Sequence, residues 1–409
     1  MIAAGTELFP LTMSALPQEL CDIIISLSEP SALVSCSLVC RSWVPSSRIR
    51  AFANLRPLVI SPSSLPQVLL LVDGPVSTIS PYVKSLVLKD WVQGSAASSS
   101  FHALLPRLAG RMVAIESLAF HSTDWEGMAD GALNFLVFYF KDTLKTLELQ
   151  DCVCSTFSSL VDLTSSFPAL ENLSLHRLLR LSPQRPEVKA SPPPPLPRLR
   201  SVHAHGYIKH ELFRWLIGLN IEVVTIGPLL PGESRPFGKF LRALKNNLQH
   251  VTLSGESTPN FHRDINLKNN HHLISIHFTN LMLNYRGNEG PASMTWFISI
   301  LLGMQSSSLR RLQFSVCAHS RGSGTLEVID WAALRTCLDK PQFVCLTSVT
   351  FSFSMSRHKE VDRGWWAGYK EMAESFVRAR LPQYLDTSIL SFDFERMVTN
   401  ASDSSSDDE

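Results

Sequence analysis

One short apolar pattern recurs through most of this chain, and it limits the possible folds more than any other feature. Ten segments follow the order apolar-x-x-apolar-x-apolar, from VKSLVL at Val83 to LTSVTF at Leu346. Their middle apolar residues are Leu86, Leu118, Leu147, Leu173, Val202, Val224, Val251, Ile276, Leu312 and Val349. Most of the spacings between consecutive residues of this set are close to roughly 20–29 residues. This is the period at which some solenoids add one strand and one helix per unit. The sequence therefore predicts a repeated strand-and-helix fold, with insertions where the spacing is longer.

Helices are predicted between these strands and are expected to cover one side of the sheet. The clearest stretches are 132–142, 208–219, 237–247, 293–304 and 325–338. Alternation of strands and helices favours a parallel sheet with right-handed crossovers, in which stacked units share one continuous core. The pattern resembles irregular leucine-rich repeats, so the predicted fold class is an α/β solenoid. A mixed α/β sheet with accidental leucine spacing is the alternative.

A second feature is the apolar stretch before the repeats, LPQELCDIIISLSEPSALVSCSLVCRSW at residues 16–43. Leu20, Ile23, Ile24 and Leu27 have the spacing of one apolar stripe on a helix. Pro17 is suited to the first helical turn, where a missing N–H leaves no bond unmade. Two or three short helices cannot bury this much apolar surface among themselves. We therefore expect part of it to face a partner or the rest of the chain.

The residues of this stretch also resemble a known module. The segments LPQEL and SLVCRSW occur in order and at the separation found in the F-box, a helical module that docks a Skp-type adaptor of cullin-based ubiquitin ligases. The resemblance implies a docking surface and supporting core made of Leu16, Pro17, Glu19, Leu20, Ile24, Val39, Cys40 and Trp43. A motif match is a hypothesis, and an ordinary helical hairpin that caps the solenoid is the alternative.

These features divide the chain into segments. A leader at 1–15 precedes the F-box-like module at 16–55, and a connector at 56–82 leads to the solenoid at 83–396. A proline-rich loop at 182–197 is predicted between the fourth and fifth repeats, because consecutive prolines donate no backbone hydrogen bonds. A terminal helix at 363–380 and a closing strand at 389–394 end the array. The acidic serine tail at 397–409 is expected to be disordered.

The composition of the chain limits its expected partners and its expected cellular location. Hydrophobic residues make up 45% of the chain and charged residues 18%, which is typical of a packed domain. The net charge of +1 indicates neither nucleic acid nor a membrane surface as a partner. The start of the chain lacks the pattern of a signal peptide. Eight cysteines in 409 residues do not form a disulfide scaffold, so we expect a reduced, cytoplasmic or nuclear location.

Catalytic motifs are represented only by partial matches. The segment GESRPFGKF at 232–240 has the wrong glycine spacing for a P-loop, and His210-Glu211 lacks the second histidine of a metalloprotease helix. Cys152 and Cys154 suggest a metal or redox site. However, Cys152 and Cys317 each lie three residues after the last apolar residue of a strand, where leucine-rich repeats carry Asn or Cys. We therefore predict no catalysis, no metal and no cofactor.

The repeat register also predicts a binding surface. Apolar positions face the core, so alternation turns the third, fifth and seventh residues of each segment to the concave side. Its neutral polar residues are Ser85, Ser117, Thr146, Asn172, Ser174, Ser201, Thr225, Thr252, Ser275, Gln313, Ser348 and Thr350. The predicted substrate-binding residues are Glu148, His176, His203, His205, His250, His277 and Arg311. A surface with one arginine disfavours phosphorylated substrates, which are usually bound by arginine clusters.

The histidines on this surface leave three interpretations. His176 and His205 occupy the same column on adjacent strands, so they should lie roughly 5 Å apart. They are either solvated side chains, a pH-sensitive patch or, with a third ligand, a zinc site.

The predicted function is that of a noncatalytic adaptor. The F-box-like module would attach to a Skp-type adaptor and cullin ligase core, and the repeats would hold an unidentified protein substrate. The alternatives are a leucine-rich-repeat scaffold whose N-terminal helices only cap the solenoid, and an enzyme with an unrecognised site.

Overall fold

The computed structural model describes most of the chain. The described residues are 16–53, 57–73, 80–91, 96–124, 130–154, 156–178, 196–206, 210–230, 232–254, 261–282, 295–319, 326–356, 363–384 and 388–396. The predicted leader, most of the proline-rich loop and the acidic tail lie outside these ranges.

Within the described ranges, the chain forms an α/β fold around one sheet of twelve parallel strands, arranged in the same order as in the sequence. The strands are β1 (Leu58–Ile60), β2 (Ser85–Lys89), β3 (Ser117–His121), β4 (Thr146–Gln150), β5 (Asn172–His176), β6 (Ser201–His205), β7 (Val223–Ile226), β8 (His250–Ser254), β9 (Ser275–Met282), β10 (Arg311–His319), β11 (Ser348–Ser356) and β12 (Leu390–Arg396). A sheet with neighbours in sequence order is what stacked strand-and-helix units produce. All ten predicted repeat strands and the closing strand are confirmed.

The register of the sheet follows the repeat. The middle apolar residues pair directly across neighbouring strands, from Leu86 beside Leu118 to Leu312 beside Val349. These side chains are buried together with the helices in one continuous hydrophobic core. A one-residue slip would turn every one of them to the opposite face. The pattern therefore fixes the pairing.

The helices that follow the strands are α4 (Leu65–Asp73), α5 (Ala96–Arg111), α6 (Asp130–Phe140), α7 (Phe157–Ser165), α8 (His210–Leu216), α9 (Ser234–Leu244), α10 (Phe261–Asp264), α11 (Trp296–Gly303), α12 (Trp331–Leu338) and α13 (Arg363–Arg380). Side-chain caps start two of them: Thr156 accepts from the Ser159 N–H at 3.0 Å, and Asp330 from the Ala333 N–H at 2.9 Å. Such caps satisfy backbone donors that the helix leaves unpaired.

The sheet begins earlier than predicted. Strand β1 and helix α4 lie inside the segment predicted as a connector, and Leu58 of β1 pairs with Leu86 of β2. The helices α4, α5, α7 and α10 were not predicted. Helix α5 contains Pro106, together with several serines and a glycine that weaken a helical pattern.

A ladder of side-chain hydrogen bonds joins the ends of the first strands. Trp91, Thr123 and Cys152 each occupy the third position after the last apolar residue of a strand. They donate to the carbonyls of Ile60, Leu88 and Phe120, at 3.3, 3.2 and 3.1 Å respectively. Cys152 therefore bonds within the repeat, as its position in the pattern predicted. Burial raises the pKa of its thiol to about 12.

The prediction that Cys317 follows the end of its strand in the same way is wrong. Strand β10 continues for nine residues, so Cys317 lies within the strand and pairs with Met282 and Ser354. Strand β4, in contrast, has five residues and ends before Cys152. Strands β9 to β12 are longer than that.

In the part of the chain that the structure describes, three short α-helices precede the sheet: α1 (Gln18–Leu27), α2 (Leu33–Cys36) and α3 (Trp43–Ala53). Helix α3 packs against both α1 and α2, and it also contacts the turn Ser80–Tyr82 that leads into β2. Cys21, Ile25 and Leu33 are buried in this module. The module is thus a small helical unit next to the beginning of the sheet.

Two cations of α13 lie over aromatic rings of the last strand. Phe392 and Phe394 of β12 stack on Phe351 and Phe353 of β11. From α13, the Arg378 guanidinium lies 5.2 Å from the Phe392 ring centre, and Lys370 Nζ lies 5.4 Å from that of Phe394. Cations favour the faces of aromatic rings. The last two aromatic rings of the sheet therefore each have a cation of α13 over one face.

Candidate binding surfaces

The N-terminal helices expose an apolar surface, which we call the helix face. It consists of Leu16, Leu20, Ile23, Ile24, Leu27, Leu38 and Val39, whose exposed fractions range from 41% for Ile24 to 82% for Leu38. Several large exposed apolar residues on one small module commonly mark an interaction site. The predicted surplus of apolar surface is therefore present on these helices.

The residues predicted to dock the adaptor divide into two groups. Leu16, Pro17, Glu19, Leu20, Ile24, Val39 and Cys40 are exposed. Trp43, at the start of α3, is partly buried. The buried residues of α1 are Cys21 and Ile25. Each directly follows an exposed residue of the apolar stripe, Leu20 or Ile24.

Sequence reasoning assigned no docking role to Ile23, Leu27 and Leu38, although they belong to the helix face. The signal for Ile23 and Leu27 was present, because both share the apolar stripe of Leu20 and Ile24. Leu38 lies next to Val39 in the segment that follows α2.

Hydrogen bonds hold the helix face in position. Asp22 of α1 accepts from the Ser46 hydroxyl of α3 and from Gln18 Nε2, the latter at 2.9 Å. These bonds hold the pKa of the Asp22 carboxyl below its usual value. On the same module, the Ser42 hydroxyl lies 3.0 Å from Cys40 Sγ and lowers the pKa of that thiol. The carboxylate thus links α1 to α3.

The side of the sheet opposite the helices carries the predicted polar surface, which we call the open face. Its residues form columns across the strands, and one column runs from Glu148 through Ser174, His203, Thr225, Thr252, His277 and Gln313 to Thr350. Side chains on this face bond to one another, as Asn172 does to Thr146 at 3.3 Å and Gln313 to Ser352 at 3.1 Å. The surface offers many neutral donors and acceptors and few charges.

His176 and His205 are adjacent, as predicted. Their rings stack with centroids 5.2 Å apart and planes inclined by 21°. His203 lies two residues before His205 on the same face, with its Nε2 3.0 Å from the Ser201 hydroxyl. The three imidazoles therefore form one patch across β5 and β6.

The remaining predicted histidines lie elsewhere on the open face. His250 is in the column of Ser275 and Arg311, and His277 Nε2 lies 2.7 Å from the Ser315 hydroxyl. Burial lowers the pKa of His277; it also lowers that of His250, with a smaller effect of the Arg311 charge. These two histidines do not join the patch at β5 and β6.

One open-face contact was not predicted. His121 Nε2 of β3 lies 3.5 Å from Glu148 Oε1 of β4. His121 occupies the seventh position of its repeat, so the alternation that identified His176 also identifies it. Glu148 therefore has a neighbour within the sheet.

The described residues contain no group of three or more histidine, cysteine or acidic side chains that could hold a metal ion. In the same part of the chain, no helix is long and apolar enough to cross a membrane.

Comparison with known proteins assigns the chain to no family. No family model matches it, and no curated protein matches it. Among solved structures, one that matches is a crystal structure of a protein from Bacteroides fragilis, with 12% sequence identity and a TM-score of 0.36. The match covers 83% of this chain and 73% of that one.

Proposed function

We propose that this chain is a substrate-recognition adaptor of a Skp–cullin–F-box type ubiquitin ligase, in the cytoplasm or nucleus. In this proposal, the N-terminal module is an F-box and the strand-and-helix units are leucine-rich repeats. The observation that carries the proposal is the helix face, where seven large apolar side chains of a small module stay exposed beside a well-packed sheet. The residues around it have the order of the F-box pattern.

The energetics of the helix face favour a protein partner. Complete burial of a Leu or Ile side chain is worth about 1.5–3 kcal/mol. Most of the binding energy of an interface comes from a few such residues near its centre. Leu20, Ile23 and Ile24 share one side of α1 and are about half-exposed. They are the expected centre of the interface with the Skp-type adaptor.

The open face is the proposed substrate-binding surface. It presents hydroxyl, amide and imidazole groups along parallel columns, which suits hydrogen bonding to a protein segment. A substrate held there would be tethered to the ligase core through the helix face. Tethering raises the effective concentration of the substrate near the ubiquitin-carrying enzyme, without any catalytic group on this chain.

Calorimetry with a purified Skp-type adaptor tests the proposal. Ile24→Ser and the double variant Leu16→Ala, Pro17→Ala should weaken binding by at least about tenfold, equivalent to about 1.4 kcal/mol. Leu70→Ser is the matched control, because Leu70 is 78% exposed but lies on α4 outside the helix face. Unchanged affinity in the Ile24 and Leu16 variants, or no binding by the native chain, would contradict the proposal.

A second candidate is a binding protein whose first three helices only cap the solenoid. It is favoured by the contact between α3 and the turn Ser80–Tyr82 before β2. Removal of residues 1–53 separates the two proposals. A cap predicts that the shortened chain loses stability in the sheet, whereas an adaptor-docking module predicts a folded sheet that no longer binds the adaptor.

A further inference from the structure

The stacked histidines on β5 and β6 are held unequally. Gly227, which follows β7, lies against His205: a Cβ at that position would be 2.6 Å from Nδ1 and 3.2 Å from Cα of His205. The Gly227 N–H also donates to the Ala204 carbonyl at 2.8 Å, which fixes the backbone at that point. His205 therefore has the ring of His176 on one side and backbone on the other.

On the side away from His205, His176 pairs in register with a residue of β4. Its neighbour on the β4 side is Gln150, a long side chain without a fixed charge. His176 is thus the ring that can move when the two imidazoles repel each other.

The other titratable and charged groups around the pair do not neutralise it. On β6, His203 adds a third imidazole, and burial followed by the charge of His176 lowers its pKa. At the end of β5, Arg177 already pairs with Asp151 at 2.7 Å. On β4, Glu148 lies next to His121 of β3. No carboxylate among the described residues contacts either ring of the pair.

We propose that His176 and His205 form a proton-operated switch in the open face, in which a second proton drives His176 away from the fixed ring of His205. Two protonated imidazoles at this separation repel each other, and they are only partly screened in a half-buried site. Movement of His205 is blocked by Gly227, so the repulsion is relieved by rotation of His176 towards Gln150. Burial and the neighbouring histidines lower the pKa of His205, which is consistent with this order. The switch requires only residues of this chain and does not depend on the proposed adaptor function.

Protonation changes both the charge and the shape of the surface. Above the titration range, the patch is uncharged and the rings are stacked. Below it, the patch is cationic, and the position next to Gln150 is occupied by the displaced ring. Interacting groups titrate in steps that belong to the pair and not to either residue alone.

Histidine-selective NMR of the full chain, followed from pH 8 to pH 5, tests the switch. The pair should titrate in two steps about one pH unit or more apart, because repulsion separates the steps of neighbouring groups. His176→Gln should leave a single step for His205, shifted to higher pH. His272→Gln is the control, since His272 lies before β9, away from the pair, and it should leave both steps in place.

Gly227→Ala provides a second test. The added Cβ should displace the His205 ring and disturb the stack at pH 7.5, so that the separation of the two steps decreases. Circular dichroism checks that the sheet is retained. If Gly227→Ala does not fold, the His176 variant decides alone. A single step in the native chain, or two unchanged steps in His176→Gln, would overturn the proposal.

Discussion

Lys145 and Glu116 are joined across the starts of two neighbouring strands, with 2.8 Å between Nζ and Oε2. The other oxygen of Glu116 lies 3.2 Å from Lys84 Nζ, and further along the sheet Arg200 Nη1 lies 3.4 Å from Glu222 Oε1. The residue before each strand alternates in sign over six consecutive strands: Lys84, Glu116, Lys145, Glu171, Arg200 and Glu222. Opposite charges on neighbouring strands support the native register, and like charges oppose a shifted one.

Reversal of the Glu116 charge should destabilise this part of the sheet. In Glu116→Lys, three lysines would be adjacent, so we expect a lower melting temperature than for Glu116→Gln. The effect should be small, since exposed ion pairs contribute little, and it should shrink in 1 M salt. A melting temperature of Glu116→Lys that is insensitive to salt would contradict this explanation.

The pH dependence of the same pair has a definite sign. Hydrogen bonds from Lys145 and Lys84 lower the pKa of Glu116 in the folded chain. The unfolded chain therefore takes up the proton first as the pH falls, and the contribution to stability is lost from about pH 4.5 downwards. Glu116→Gln should lose stability at pH 7 but little at pH 3. This is measurable by denaturant unfolding at both pH values.

The strand positions were predictable because each repeat contains its own pattern. Strand β1 was missed because Leu58–Ile60 has only three residues and lacks the six-residue pattern. Helix α13 was predicted with the observed bounds, since Trp366, Tyr369, Ala373 and Phe376 have helical spacing. Helix α5 was missed because its serines and Pro106 obscure such spacing.

The candidate surfaces were predictable to a different extent. Alternation along a strand placed the stacked histidines correctly, because the direction of a side chain in a strand depends only on its position. Burial in the small module depends on how three helices pack, which their sequences do not specify. The burial of Cys21 and Ile25 was therefore not predicted.

The stability of the N-terminal module should depend on Ile25 more than on its neighbour Ile24. Ile25 is 1% exposed, whereas Ile24 is 41% exposed. Truncation of a buried Ile to Ala typically costs about 2–5 kcal/mol, and we expect Ile25→Ala to fall in this range. The comparison with Ile24→Ala isolates burial, because the two residues are adjacent and chemically identical. Protease cleavage within residues 16–53 reports on unfolding of the module, and equal cleavage of both variants would contradict the prediction.

The open-face histidines should make the chain less stable in mild acid. Burial, as the main cause, lowers the pKa values of His203, His205, His250 and His277 in the folded chain. The unfolded chain then binds protons first, so stability is complete above about pH 6.5 and decreases as the pH falls below it. Unfolding in urea at pH 7.5 and pH 5.5 should show the loss.

The same histidines should also influence binding. If the open face holds the substrate, affinity should weaken from about pH 7.5 to pH 6 as positive charge accumulates on the patch. Replacement of His176, His203 and His205 by Gln should flatten this dependence. An unchanged pH profile in the triple variant would exclude the patch from binding.

The last strand of the sheet carries charges that should protect its edge. The Val349 N–H donates to the Ile389 carbonyl, so alternation in a parallel ladder turns the backbone groups of Phe392 and Phe394 away from β11. No described strand pairs with these groups. Unpaired edges promote association, and charged side chains on them oppose it. On the open face of β12, the exposed Asp393 and Glu395 have this role.

Loss of these two carboxylates should therefore allow edge-to-edge association. The variant Asp393→Val, Glu395→Val retains the strand, because valine is well suited to a pleated, half-buried surface. It should form dimers or larger species as its concentration rises, measured by sedimentation velocity. The matched control is Glu327→Val, Glu371→Val, which removes two exposed carboxylates from other elements. Association of both variants would indicate a general effect of lost charge. If both variants stay monomeric, other features protect the edge. Association of the β12 variant alone is the expected result, because only there does the lost charge lie beside unpaired backbone groups.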